Sequence, residues 1–417
     1  MTNTQLALQF LLQISVILIV CRVVGAMAAR FGQPQVVAEM LAGVLLGPSL
    51  MGAIAPDLQN RLFPWDPTQS TRDSQAYLYP ASQLGLALYM FVVGLEFRLD
   101  LLRLHGRTTA AVALAGCAGP FVLGAASGWV VAQFPSLTRP GVGELESAMF
   151  MGACLSITAF PMLARILHHK GLLGTKLGTV AIGAGAIDDA MAWCLLAVLI
   201  ALLERDPMQA AVTIGGGIAL IAAATLLLRP MLRAVRPLLL RGDDLSEAGM
   251  ITVLSLLAIV AWYSDRIGLH AVFGAFVFGS VVPRGAVAST LAARIQPLTV
   301  TLLLPLFFTY SGLHTRLGLL DSAQEWLCCL AILAVAMASK GVCCWCAARY
   351  SGMSNRESLG IGTLMNARGM MQLILINLGL ERGIINQRLF SMLVITAIAT
   401  TLLTSPLFDR FAGKNTL

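Results

Sequence analysis

Thirteen apolar stretches divide this chain, and each can cross about 30 Å of hydrocarbon. They run over 6–29, 33–53, 78–98, 108–134, 146–167, 173–203, 208–232, 246–264, 268–283, 288–312, 325–348, 356–380 and 386–408. The sixth is long and the ninth short. In lipid every backbone N–H and C=O must be bonded internally, so spanning segments are helices or closed barrels. Alternating segments of strand length are absent, which argues against a barrel. The expected fold class is an all-α polytopic membrane protein with about 13 transmembrane helices. Composition agrees: 57% of residues are hydrophobic and 12% charged, where a soluble domain has roughly 45–50% and about a quarter.

A net charge of +7 could point to an acidic partner. Instead the basic residues cluster in short loops between apolar runs, a sign of membrane orientation and not of nucleic-acid binding. An odd number of spans puts the termini on opposite sides. With the N-terminus outside, seventeen Lys and Arg fall on the cytoplasmic side and eight outside, while Arg22, Lys340 and Arg368 stay within spans. The expectation is N-terminus out and C-terminus in, in the cytoplasmic (inner) membrane if the source is bacterial. Ala26-Met27-Ala28 resembles a signal-peptide cleavage site, but no basic residue precedes it within Met1–Gln5, so a retained first helix is expected.

The nine cysteines, Cys21, Cys117, Cys154, Cys194, Cys328, Cys329, Cys343, Cys344 and Cys346, all fall in apolar segments, so they read as small apolar side chains and not as a disulfide framework. Cys343 and Cys346 have C-x-x-C spacing without a second pair. The five histidines are scattered. No structural metal, no cofactor and no enzyme activity are expected.

Two spans are interrupted in the same way. The fifth reads GACLSITAFPMLARIL, with Pro161 mid-segment and Ser156 and Thr158 just before it. The twelfth reads GTLMNARGMMQLILINLG, with Asn366, Arg368 and Gly369 at similar depth. Proline removes a donor and breaks the helix ladder. Broken backbone at membrane depth survives only where protein or a watery cavity satisfies the freed groups. The interruptions are seven spans apart, as expected if spans 1–6 and 8–13 are repeats separated by span 7. A repeat of six spans joined by one extra helix is inverted in the membrane, and paired interrupted helices point to a transporter's binding site.

The charges sharpen that reading. Asp188 and Asp189 in GAGAIDDAMAWC lie roughly 23 Å along an apolar run of about 45 Å. An ionisable group at helix centre costs about 2.5 to 3.5 kcal/mol. Adjacent helix positions point about 100° apart, so the two carboxylates cannot share one role. Lys340, mid-span in AILAVAMASKGVCC, is the evident partner of one. At 4 Å and an effective dielectric of 20, such a pair gains about 4 kcal/mol, which offsets burial only in part. The second acid is surplus and asks for a cation or a proton. Carboxylates with Thr158, Ser156 and freed carbonyls suit a hard monovalent cation. Cation and proton would compete for the same group, and alternating access would turn that competition into antiport.

Other polar residues are less specific. Glu39 in QPQVVAEMLAGVLLGP is intramembrane and could cap, pair locally or function. Arg368 could neutralise crossing helices or pair with an acid. His168 and His169 follow the broken span, and His314 carries no assignment.

The segments GVLLGPSL, YMFVVGLEFRLDLL, SITAFPMLARIL, AIDDAMAW, PLFFTYSGLHT and LMNARGMMQLILINLG, in this order along the chain, resemble the monovalent cation:proton antiporter-2 family of the sodium/proton antiporter superfamily. The resemblance runs over essentially the whole chain. It implies two inverted repeats with crossing broken helices, and a homodimer working by an elevator-like motion. Residues 1–103 and 245–322 would form the dimerisation scaffold, 104–205 and 323–417 the core transport domain, and 206–244 the linker helix. By the same resemblance Asp189 would be the principal ion and proton site and Asp188 the partner of Lys340. Members with paired aspartates exchange two protons per Na⁺, electrogenically. Plant-type members usually carry Glu where this chain has Gln372, so their ion preference does not carry over. A regulatory tail, as in glutathione-gated potassium efflux systems, is not expected in this chain.

The sequence therefore supports a monovalent cation/proton antiporter, Na⁺ first, K⁺ second and Li⁺ to be tested, serving pH homeostasis. The alternative is a Na⁺-coupled organic anion symporter of related crossing-helix fold, where an Asp–Asp pair with a buried Lys is not expected. A channel would need a filter repeat, which is absent.

Overall fold

A computed structural model of the protein describes residues 3–31, 33, 35–64, 75–96, 106–134, 136–139, 141–172, 175–203, 207–235, 240–241, 244–315 and 317–413. It is almost entirely helical, apart from one two-residue hairpin that pairs Leu240–Arg241 with Asp244–Leu245 and an isolated bridge between Thr138 and Ile385. Among the described residues nine helical stretches are long and apolar enough to cross a membrane. The thirteen stretches of the sequence all have helical counterparts. Of the four beyond these nine, two are broken and one is the short Ala271–Val281; the fourth is the unbroken Lys176–Leu203 that carries both aspartates, whose side chains are described only in part.

The chain divides into two compact units. The first comprises Met1–Val20, Asp57–Phe97 and Ile200–Tyr310. It holds the start of α1 (Asn3–Arg30), most of α4 (Pro56–Leu62), α5 (Gln75–Glu96), α10 (Pro207–Ala223), α11 (Arg229–Ala234), α12 (Glu247–Arg266), α13 (Ala271–Val281), α14 (Ala286–Leu298) and most of α15 (Leu304–Leu313). Helices α5 and α13 touch backbone to backbone: a Cβ on Gly94 would lie 2.4 Å from the Phe276 carbonyl oxygen. The Phe91 and Phe278 rings stack there, centroids 5.6 Å apart.

Two spans of this unit contain a π-helical turn, at Ala224–Leu228 and at Thr299–Leu303. Each turn is followed two residues later by a proline, Pro230 and Pro305. A proline ring clashes with the carbonyl four residues back and offers no N–H. Widening the preceding turn relieves the clash and lets an apolar helix pass through the proline without ending.

The second unit comprises Cys21–Pro56, Arg98–Leu199 and Ser311–Leu417. It holds α2 (Gln35–Leu46), α3 (Met51–Ile54), α6 (Gly106–Ala132), α7 (Glu144–Ser156), α8 (Phe160–His169), α9 (Lys176–Leu203) up to Leu199, α16 (Ala323–Tyr350), α17 (Asn355–Leu364), α18 (Met370–Glu381) and α19 (Gln387–Ala412). Here proline does end a helix. Ile157, four residues before Pro161, turns extended (φ −76°, ψ 131°), and α8 begins three residues later. The pairs α7/α8 and α17/α18 are the two broken spans, and their breaks meet.

Candidate functional site

The two breaks are joined by backbone. The Ala159 amide donates to the Ala367 carbonyl at 2.9 Å. Gly369 comes so close to the opposite break that a Cβ on it would lie 2.8 Å from Met162 Cγ and 3.2 Å from Ala159 Cβ. The Arg368 amide donates to Thr401 Oγ1 of α19 at 3.1 Å, which fixes the second break from behind.

The end of α7 leaves orphan carbonyls and the negative end of a helix dipole inside the unit. Two buried cations answer it. Arg368 Nη1 donates to the Cys154 carbonyl at 3.0 Å, and Nη2 to the carbonyls of Leu155 at 2.7 Å and Ala336 at 3.2 Å. The Lys340 ammonium donates to the Ser156 carbonyl. The last three carbonyls of α7 are thus bound by positive side chains, and both cations are fully buried.

Lys340 also donates to Asp188 Oδ2 at 2.7 Å, in an ion pair with no more than 1% of either side chain exposed. The Thr158 hydroxyl lies 2.8 Å from the same Oδ2 and 3.0 Å from the Met365 carbonyl oxygen. A hydroxyl has one proton, so Thr158 serves one of these acceptors at a time. Three carboxylate oxygens take no hydrogen bond from the described residues: Asp188 Oδ1 and both oxygens of Asp189. Asp189 is 1% exposed and lies beside the Phe160 amide, at the positive N-terminal end of α8.

Asp188, Asp189, Thr158, Lys340 and Arg368 are therefore gathered at one place in the second unit. Ser156 contributes its carbonyl, while its hydroxyl turns back to the Ala153 carbonyl at 2.9 Å. Asn366 donates to the Gly362 carbonyl at 2.9 Å within its own helix end. Gln372 is fully buried in the first turn of α18, and neither amide atom finds a hydrogen bond among the described residues. Glu39 lies on α2, fully buried, with Cys21 as an electrostatic neighbour. His314 accepts a hydrogen bond from Gln387 through its carbonyl. The side chains of His168 and His169 lie outside the described residues.

The sequence leaves Arg368 between neutralising the crossing helices and pairing with an acid, and the structure places its guanidinium on the carbonyls that end α7. A signal existed in the lack of an acid near Arg368 in its own helix, which leaves carbonyls as the remaining acceptors.

Residues 15–410 match the family described as "Sodium/hydrogen exchanger, transmembrane". The chain belongs to that family. It is a monovalent cation/proton antiporter by membership, with multiple membrane-spanning helices. Among curated relatives, the chain is 38% identical over 410 residues to the Na(+)/H(+) antiporter NhaS4 of Synechocystis sp. (strain ATCC 27184 / PCC 6803 / Kazusa), covering 97% of each. It is 34% identical over 399 residues to Cation/H(+) antiporter 18 of Arabidopsis thaliana, covering 95% of this chain and 48% of that one, so it spans about half of the plant relative. The fold is that of the sodium proton antiporter MjNhaP1 from Methanocaldococcus jannaschii, with a TM-score of 0.69 at 14% identity, covering 97% of this chain and 98% of that one.

Proposed function

We propose that this antiporter exchanges Na⁺ for protons electrogenically, with two protons per Na⁺, and that Asp189 is the group at which cation and proton compete. The observation that carries the proposal is the contrast between two adjacent carboxylates. Asp188 is held by Lys340 and Thr158, whereas Asp189 is equally buried and takes no hydrogen bond from the described residues. A buried carboxylate without a partner is costly, and binding either a proton or a cation removes the cost. Asp188 Oδ1 and the Thr158 hydroxyl would supply further oxygens to a hard cation that has shed water. The 38% identity to a protein named a Na(+)/H(+) antiporter supports Na⁺ over K⁺.

In this proposal the chain transports ions and performs no covalent chemistry. It works as a homodimer with its N-terminus outside and its C-terminus in the cytoplasm. The joined breaks move as one body in an elevator-type cycle, because separating them would free the Ala159 amide and the capped carbonyls of α7 together.

Proteoliposomes holding a proton gradient and a pH-sensitive dye test the reading. Na⁺ is expected to dequench the dye, K⁺ and Li⁺ less so, and Asp189→Asn to abolish the response. Competition also sets a sign: the KM for Na⁺ should fall as pH rises, because fewer protons contend for the site. An Asp189→Asn protein that transports like wild type would remove Asp189 from this role.

A further inference from the structure

On another face of α16 lies a groove of about 360 Å³, walled by α16, α17 and α19. Its rim on α16 is formed by Ala334, Ala338 and Val342, all exposed, on a helix apolar and long enough to cross the membrane. Leu359, Leu407 and Phe411 form the other walls. The size is that of a small-molecule site, and an apolar trough opening from membrane-crossing helices faces acyl chains, not water.

The polar groups in it are mainly acceptors. Asn366, 4% exposed, spends its Nδ2 on the Gly362 carbonyl, and its Oδ1 finds no hydrogen bond among the described residues. The Thr363 and Thr404 hydroxyls each donate to a carbonyl one turn back, at 2.8 Å, so they offer only lone pairs to the groove. Three acceptors stand along an apolar wall, and the second N–H of Asn366 is the one donor left among these three side chains. A buried acceptor left unmade is expensive. The complement is a molecule that is mostly hydrocarbon and brings one donor.

We propose that this groove binds a neutral amphiphile of the bilayer, an apolar chain whose hydroxyl donates to Asn366 Oδ1. A carboxylate or phosphate head would bring a negative charge that no residue lining the groove answers, and does not fit. Asn366 stands between Met365, whose carbonyl faces Thr158, and Ala367, whose carbonyl holds Ala159. An occupant therefore touches the segment that joins the two breaks. The inference is independent of which cation is carried.

Trp345 lines the groove and serves as reporter. In nanodiscs of saturated phosphatidylcholine, its fluorescence, isolated by difference from Trp345→Phe, is titrated with a bromine-tipped fatty alcohol and with the bromoalkane of equal length. The alcohol is expected to quench saturably, with a midpoint about three- to tenfold below the alkane's, the margin of one buried hydrogen bond. Asn366→Leu should bring the two midpoints together. Ala338→Phe, on the exposed rim and clear of the buried charges, should abolish saturable quenching and decides the matter if Asn366→Leu fails to fold. Equal midpoints in the wild type, or saturable quenching that survives Ala338→Phe, would overturn the proposal.

Discussion

Lys340 donates to Asp188 Oδ2 at 2.7 Å, and the residue that follows Asp188 is an equally buried acid that takes no hydrogen bond from the described residues and has the Phe160 amide beside it. The two aspartates thus differ in partner and not in depth. Neutralising them should have opposite consequences for the fold.

Asp188→Asn leaves Lys340 buried without its counter-charge, a loss of about 3–5 kcal/mol by analogy with other broken buried pairs. Asp189→Asn removes a carboxylate that takes no hydrogen bond from the described residues and has only the Phe160 amide beside it, and should leave stability unchanged or improve it. Thermal melts of the two purified variants in one detergent check the order. A lower melting temperature for Asp189→Asn would contradict it.

Thr158→Ser keeps the hydroxyl between Asp188 and the Met365 carbonyl, whereas Thr158→Val keeps only the shape. The serine variant should transport with a KM for Na⁺ close to wild type. The valine variant should raise KM about tenfold, the effect of one hydrogen bond to a charged group. Dye dequenching against Na⁺ concentration measures both.

Arg368 binds three carbonyls with a planar fork that an ammonium cannot reproduce. Arg368→Lys should therefore melt lower than wild type even though the charge is kept. If Arg368 acted as a charge alone, the lysine would restore the wild-type melting temperature, and Arg368→Gln would not.

Gly369→Ala puts a methyl within 2.8 Å of Met162 Cγ. Overpacking of this kind costs about 1–3 kcal/mol. Met162→Ala in the same chain should recover part of the loss, which a double-mutant cycle of melting temperatures reads directly.

Much of this site was legible from residue type and order. Pro161 announced one break, Gly369 marked the other, and Asp188, Asp189 and Lys340 could be paired because mid-membrane charges have few partners. The all-helical fold followed from thirteen apolar runs. What escaped were relationships that depend on which carbonyl faces which side chain. Arg368 reads equally well as the partner of an acid or as the cap of a helix end, and only the placement of α7 decides. Pro230 and Pro305 look like Pro161 in sequence. Yet two pass through a π-helical turn and one ends its helix, because the last has acceptors and donors waiting on a neighbouring break. Gln372 was singled out as a departure from an acid. Its burial with no hydrogen bond from the described residues depends on packing that residue type and order do not carry.

The two cations that close the end of α7 have a consequence in electrical work. With Asp188 and Asp189 ionised, the formal charges of Lys340, Arg368 and the pair cancel. One bound Na⁺ then leaves the cluster at one positive charge, and two protons leave it at two. If the cluster is carried across the bilayer, neither loaded form crosses uncharged, and each elementary charge exchanges about 2.3 kcal/mol with a potential of 100 mV. On the proposed stoichiometry a negative interior would speed the proton-loaded passage inward and oppose the Na⁺-loaded passage outward by half as much, so voltage would drive the cycle in the direction of Na⁺ extrusion.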